Sequence, residues 1–210
     1  MRSLLLLSVL AVACARPAQS VAPRSPQAPP VAPAARVDAC TGAQRALADE
    51  ADRRATPWSR DQHLSKNFPG GRVAWLMPEA AYQKYIVTPQ ASKFGRCNDT
   101  GCYLFVAPAE IIERVVADSR REGGHDPAAL GAALGLPAKN FEGPLRMMVL
   151  DVGRVGVCVR LPVDSDPGVW KCTSAEDTSC FKQGGYTAGG IPELMVIDAP
   201  VADTTIIDVP

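Results

Sequence analysis

The chain has 210 residues, of which 47% are hydrophobic, with 22 basic and 22 acidic side chains. Four basic residues and no acidic ones precede residue 37, so residues 37–210 carry 18 basic against 22 acidic side chains, a formal charge of −4. That balance disfavours sequence-independent nucleic-acid binding, which depends on basic surface, but leaves room for a nuclease with a local basic cleft.

The N-terminus has the pattern of an export signal. A basic start is followed by the apolar run Leu4–Val12, which is too short to span a bilayer, and by small residues. Ala11-Val12-Ala13-Cys14 resembles a bacterial lipobox, in which the cysteine becomes the lipidated first residue of the mature protein, although that family usually has Leu in place of Ala11. Ordinary cleavage at the A-x-A-like site Ala13-Cys14-Ala15 is the alternative. We predict a signal peptide over residues 1–13 and lipidation at Cys14.

A tether is predicted over residues 14–36. Residues 17–36 contain six prolines and six alanines and no acidic side chain, and such a stretch buries too little apolar surface to offset its ordering entropy. Proline favours extended backbone, so these residues reach roughly 60 Å at about 3.1 Å each. The predicted order is therefore a lipid, a tether and one globular body over residues 37–210. This arrangement is typical of a protein held away from a membrane surface.

The cysteines other than Cys14 predict disulfides in an oxidising compartment. They are even in number: Cys40, Cys97, Cys102, Cys158, Cys172 and Cys180. The sequence permits many pairings. Short loops favour Cys97–Cys102 and Cys172–Cys180, which leaves Cys40–Cys158. A zinc site is the weaker alternative, because no C-x-x-C pair occurs and only two histidines could assist. We expect no metal and no cofactor.

The first half of the body is predicted to be mainly helical. Thr41 and Gln44 form a capping-box pattern, and proline, Asp-Pro and Gly-Gly steps delimit the later helices. The predicted helices are Gln44–Arg54, Pro78 to about Tyr85, Pro108 to Gly123-Gly124, and Asp126–Leu136. Two short runs between them, Arg72–Met77 and Tyr103–Val106, favour strands.

The second half is predicted to consist of strands separated by glycine and proline. They are Leu145–Val152, Val155–Leu161, Leu194–Asp198 and Thr204–Val209. Helices first and strands later favour an α+β fold, with mainly antiparallel strands in the C-terminal half and disulfides as staples, over alternating α/β units.

The densest concentration of functional residue types is Gly184–Glu193, where two glycine pairs flank Tyr186-Thr187 and a carboxylate follows. Glycine permits positive φ and close backbone approach, and backbone amides there are able to bind an anion. We predict Thr187 and Glu193 as catalytic residues, a positioning hydroxyl and an acid/base, and Gly185 and Tyr186 as substrate-binding residues. The alternative is a pair of tight turns with Glu193 solvated.

Two arginines and two histidines are further possibilities. Arg146 and Arg160 lie in predicted strands, where arginine is unusual unless it is paired or faces a cleft. We predict both as substrate-binding residues for an anion, with a surface position or a structural salt bridge as the alternative. His63 and His125 have the chemistry of a general base, but a solvated surface histidine is the commoner case. Phosphodiester cleavage in RNA or DNA and attack on a nicotinamide nucleotide both fit this set, and the acidic charge favours the nucleotide.

Five short motifs follow one another along the body: Phe105-Val106-Ala107-Pro108, Leu134-Gly135-Leu136-Pro137, Leu145–Asp151, Arg160-Leu161-Pro162 and Gly184–Glu193. In this order the body from about Val73 resembles a C-terminal domain of bacterial polymorphic toxins. The chain departs from that pattern over Asp164–Phe181, which stands where the family has a Gly-Asn-Glu-like stretch. Gln183 stands where the family has proline. The resemblance carries no settled reaction with it.

The lipobox, the tether and this body together look like the swapped lipoprotein toxins of myxobacteria. Those pass between kin cells by outer-membrane exchange, and a cognate immunity protein protects the producer. The resemblance implies a lipid-anchored protein of the outer membrane, an immunity partner, and toxicity to non-immune cells. A non-enzymatic envelope lipoprotein that binds a ligand or protein through Gly184–Glu193, and a secreted hydrolase, are the alternatives.

Overall fold

The computed structural model describes residues 39–54, 59–162, 185–187 and 190–209. These residues form an α+β fold, which confirms the predicted class: the helices pack on a seven-stranded sheet whose strand pairs are antiparallel. Cys14, the tether and the cysteine pair Cys172 and Cys180 lie outside the described residues.

Six helices are described, and four of them begin after a residue whose side chain caps the first turn. They are α1 Gly42–Arg54, α2 Arg60–Asn67, α3 Glu79–Tyr82, α4 Ala109–Asp118, α5 Pro127–Leu134 and α6 Val152–Val155. A π-helical turn, Gln83–Val87, continues α3, and a 3₁₀ turn, Ala138–Phe141, follows α5. Within the described part of the chain, no helix combines the length and apolar character needed to cross a bilayer.

The strands build one large sheet and one small hairpin. They are β1 Arg72–Pro78, β2 Arg96–Asn98, β3 Gly101–Pro108, β4 Arg120–Arg121, β5 Gly124–His125, β6 Leu145–Asp151, β7 Cys158–Arg160, β8 Leu194–Ile197 and β9 Thr205–Val209. The large sheet has the order β7-β8-β3-β1-β6-β9, with β2 paired to β3, while β4 pairs with β5. Strands β3 and β1 lie at its centre.

Both faces of the sheet are buried. Successive side chains of a strand point to opposite faces, so the apolar residues of one strand contribute to the core on both sides. In β6, Met148 and Leu150 pack into the largest cluster of buried apolar side chains, while Met147 and Val149 pack into a second cluster on the opposite face. Helices α4 and α5 cover the second cluster. Helix α2 contributes Leu64 to the edge of the first cluster, and this contact positions α2 beside the loop that precedes β8.

The predicted caps and most predicted strands are found. Thr41 and Gln44 exchange hydrogen bonds at the start of α1, with Thr41 N donating to Gln44 Oε1 over 3.0 Å. Asp126 accepts from two amides of α5, which ends at Gly135 in the left-handed conformation. Several details were wrong. Val152 and Val155 belong to α6 rather than to strands, because Asp151 caps a helical turn there. Helix α4 ends at Asp118, because β4 and β5 form a hairpin, and α2 was not predicted.

Two of the three expected disulfides fall within the described residues, and both are present. Cys40 is bonded to Cys158, 118 residues away, and Cys97 to Cys102. The long bond fastens the residues before α1 to the edge strand β7. The short bond closes the turn between β2 and β3.

Candidate functional site

Residues 185–187 and 190–193, which we call the glycine-rich loop, fold back on themselves directly before β8. Thr187 N donates to Ile191 O over 2.9 Å, and Glu193 N donates to Gly185 O over 2.8 Å. The Thr187 hydroxyl oxygen accepts from Ile191 N over 3.1 Å. The loop is therefore a tight hairpin, and Gly185, Tyr186, Thr187 and Glu193 are brought together as the sequence predicts.

Glu193 is buried at the base of this hairpin, with 9% of its surface exposed. Among the described residues its carboxyl group has no hydrogen-bond partner. Burial opposes the charged form and raises the pKa of Glu193 to about 8. The solvated alternative for this side chain is wrong, because at neutral pH the carboxyl group is buried and mostly protonated. A protonated carboxyl group can donate a proton, as a general acid does.

His63 packs against the loop and is fully buried, so the expectation of a solvated surface histidine is wrong for it. Its Nε2 lies 3.0 Å from the backbone oxygen of Glu193, and its Nδ1 lies 3.0 Å from Nδ2 of Asn67. A carbonyl oxygen only accepts and the Asn67 amide nitrogen only donates. His63 therefore carries its hydrogen on Nε2 and is neutral, and burial lowers its pKa.

Asn67 connects the histidine to the loop a second time. The same Nδ2 atom donates to the hydroxyl oxygen of Tyr186 over 3.0 Å, and the Tyr186 ring packs edge-on against the imidazole with 5.1 Å between centroids. Both amide hydrogens of Asn67 are thus used. Tyr186 keeps its hydroxyl hydrogen for another acceptor, and its side chain is only partly buried.

Gly185 is the one position of the described loop where the structure requires glycine for two reasons. Its φ of +92° lies in the left-handed region, and a Cβ atom added there would stand 2.8 Å from Cε1 of His63. A side chain would therefore push the loop away from the imidazole.

Arg160 lies on the strand next to the loop. In β7 it is opposite Met195 of β8, the strand that follows the loop, so these two side chains lie on one face of the sheet. Arg160 is buried, and its guanidinium lies 5.4 Å from the Tyr103 ring. Burial alone raises the pKa of Glu193, with no contribution from Arg160, so the structure does not bring the Arg160 guanidinium together with that carboxyl group.

Arg146 lies elsewhere. It is in β6, three strands from β8, which is about 14 Å across the sheet. Its guanidinium forms ion pairs with Glu79 and with Asp208, and the hydrogen bond from Arg146 holds the pKa of Glu79 below its usual value. The structure does not bring Arg146 together with the loop, and its ion pairs correspond to the structural alternative.

His125 belongs to the small hairpin rather than to the glycine-rich loop. It is part of β5, and its Nε2 lies 2.7 Å from the backbone oxygen of Phe141. Among the residues that the structure describes, no group of three or more His, Cys, Asp and Glu side chains is placed to hold a metal ion.

The sequence pattern favoured a solvated surface position for His63 and did not identify Asn67 as a candidate. A signal was available: His63, Leu64, Asn67 and Phe68 fall on one side of a helix because residues four apart share a face, and Leu64 and Phe68 are apolar. A histidine and an asparagine beside that apolar face are positioned to be buried and hydrogen-bonded.

The chain has no detectable relative in the comparisons with known proteins: no family model, no curated protein and no solved structure matches it.

Proposed function

We propose that the chain is an exported, lipid-anchored toxin of the outer membrane that acts against bacterial cells lacking a cognate immunity protein. The support in the sequence is the lipobox-like Cys14, the tether and the resemblance to polymorphic toxin domains. The support in the structure is the pair of disulfides, since such bonds persist in oxidising compartments.

The observation that carries an enzymatic activity is Glu193. A buried, protonated carboxyl group beneath a glycine-rich hairpin is an arrangement seen at functional sites more often than elsewhere, because keeping a lone carboxyl group away from water costs stability. In this proposal Glu193 donates a proton to the leaving group. Thr187 and Tyr186 offer hydroxyl groups to the substrate.

The substrate in this proposal is a nucleotide or a phosphodiester of nucleic acid. Protonation of a leaving oxygen or of a leaving base is useful in both cases. The acidic charge of the body favours the smaller ligand, such as a nicotinamide nucleotide.

The experiment is growth of a bacterium induced to express residues 37–210, once in the cytoplasm and once exported to the periplasm. Both are needed because the disulfides depend on an oxidising compartment. Loss of viable cells in either compartment supports a toxin, and the compartment indicates where its target lies. Normal growth in both, with folded and oxidised protein present, would overturn the proposal.

A second function is favoured by a different observation, namely that much of the polar chemistry at the loop is consumed internally. Both ring nitrogens of His63, both amide hydrogens of Asn67 and the Thr187 hydroxyl oxygen are in hydrogen bonds that hold the loop. A rigid loop of this kind suits a non-enzymatic envelope lipoprotein that binds a ligand or a protein. Normal growth in both compartments would favour it.

A further inference from the structure

The fastening of the glycine-rich loop depends on one helix. Helix α2 contacts the loop through the His63 ring, which touches Glu193 O, and through Asn67, which touches Tyr186. The imidazole is enclosed, since it is fully buried and stacks at a tilt against Phe68 with 5.6 Å between centroids.

This arrangement accepts only an uncharged imidazole. A proton on Nδ1 would point at an amide hydrogen of Asn67, because Asn67 Nδ2 is the donor in that contact. Rotation of the Asn67 amide would relieve the clash but would leave the charge buried. The titratable groups around the ring are Lys66 on α2 itself and Tyr186 and Glu193 on the loop. None of them offers a carboxylate at neutral pH, because Glu193 is mostly protonated there.

The loop itself accepts only an uncharged Glu193. Its carboxyl group is buried with no hydrogen-bond partner among the described residues, so an ionised carboxylate would have no compensating donor. Release of the hairpin from α2 would let water reach it.

We propose that the contact between His63 and the Glu193 backbone is a pH-operated latch, which holds the glycine-rich loop against α2 while both side chains are uncharged and releases it when either becomes charged. This inference goes beyond the proposed function and does not depend on it. Burial lowers the pKa of His63 and raises that of Glu193, so the two groups release the loop in opposite directions of pH.

The sign of each effect follows from linkage. Opening exposes His63, whose pKa in water is about 6.5. The population of the open form relative to the closed form therefore increases as the pH falls below that value. Opening also exposes Glu193, whose carboxyl group has a pKa of 4.5 when exposed and about 8 when buried. The population of the open form therefore increases as the pH rises from 4.5 towards about 8. Between about pH 4.5 and about pH 6.5 the two effects oppose each other in the unaltered protein.

Two variants separate the effects. In Glu193→Gln only the histidine of this pair titrates, so opening of the loop should increase as the pH falls below about 6.5, by at most about tenfold for each pH unit. In His63→Gln only the carboxyl group titrates, so opening should increase about tenfold for each pH unit of rise above about pH 4.5. The slopes therefore have opposite signs over the same range.

The measurement is hydrogen exchange of the Thr187 and Glu193 amides, followed by NMR in the full chain, purified in detergent with its disulfides intact and corrected for the intrinsic pH dependence of exchange. Amides of β6 serve as the reference for global unfolding. Both amides are hydrogen-bonded within the hairpin, and a hairpin released from α2 is only marginally stable in water, so these bonds also open on release. We therefore expect the two loop amides to be at least about tenfold less protected than those of β6.

Three results would overturn the latch: loop amides as protected as those of β6, or no pH dependence in Glu193→Gln, or none in His63→Gln. Should His63→Gln fail to fold, Asn67→Asp combined with Glu193→Gln is the substitute. The carboxylate introduced at position 67 would accept a hydrogen bond from the protonated imidazole, so the acid-induced opening seen in Glu193→Gln should disappear. Its persistence would contradict the proposal.

Discussion

The Nε2 atom of His63 lies 3.0 Å from the backbone oxygen of Glu193, and this contact joins residues 130 positions apart in the chain. It fastens α2 to the loop before β8 and links a neutral imidazole to a residue whose carboxyl group is also neutral. Two buried titratable residues therefore meet at the one segment where the sequence concentrates glycine, hydroxyl and carboxyl groups.

The first prediction concerns the pH dependence of stability. Because the pKa of Glu193 is raised from 4.5 to about 8 on folding, its contribution is fully present below pH 4.5 and is lost as the pH rises through about 8. Glu193→Gln removes this dependence. The stability of the variant relative to the unaltered protein should increase by about 1.4 kcal/mol per pH unit within that window.

Urea unfolding of both proteins at a series of pH values measures this difference directly, and other titrating groups cancel in the comparison. A difference that stays constant with pH would mean that Glu193 is ionised in the folded protein.

The second prediction tests the close approach of Gly185 to His63. Gly185→Ala introduces a Cβ atom 2.8 Å from Cε1 of the imidazole at a φ of +92°. Gly123→Ala is a matched control, since Gly123 has a φ of +90° and nothing within 4 Å of the added atom. We expect Gly185→Ala to lower the free energy of unfolding by about 1–3 kcal/mol more than the control does.

Denaturant unfolding at neutral pH supplies both values. Equal losses in the two variants would show that the loop can move away from the imidazole without cost.

The third prediction separates the two disulfides. Replacing Cys40 and Cys158 by serine frees a loop of 118 residues, whereas replacing Cys97 and Cys102 frees one of only 5. In the chain-entropy account the first change costs about 5 kcal/mol and the second about 2 kcal/mol. Thermal unfolding of the two double variants shows which of them loses more stability. A larger loss in the variant without Cys97 and Cys102 would contradict the prediction.

The fourth prediction concerns Arg146. Its guanidinium is held by Glu79 and Asp208 on a strand about 14 Å from β8. Arg146→Met should therefore leave any toxicity unchanged when folded protein is present in equal amount. A loss of toxicity with an unaltered circular dichroism spectrum would contradict this and would support a role for Arg146 in substrate binding.

Local features of the fold were predictable from the sequence. The capping pair Thr41 and Gln44 and the apolar run of β6 are set by neighbouring residues, and each appears where its pattern predicts. The disulfide Cys97–Cys102 follows from a short loop in the same way.

The site was predictable only in part, because its other half comes from a distant segment. Gly185, Tyr186, Thr187 and Glu193 are close enough in the sequence to be noticed together. The burial of His63 depends on a loop that reaches it from the far end of the chain, and the polar residues before it suggest a solvated histidine. The sheet order β7-β8-β3-β1 likewise depends on long-range pairing that local patterns do not encode.

The most direct test of the central claim compares the unaltered body, residues 37–210, with its Glu193→Gln variant in the growth assay, at equal levels of folded and oxidised protein. Glutamine keeps the size and neutrality of the protonated carboxyl group but has no acidic proton. We predict that the unaltered body reduces viable cells and that the variant is weaker by at least about 100-fold. A variant that kills as well as the unaltered body would contradict the role of Glu193.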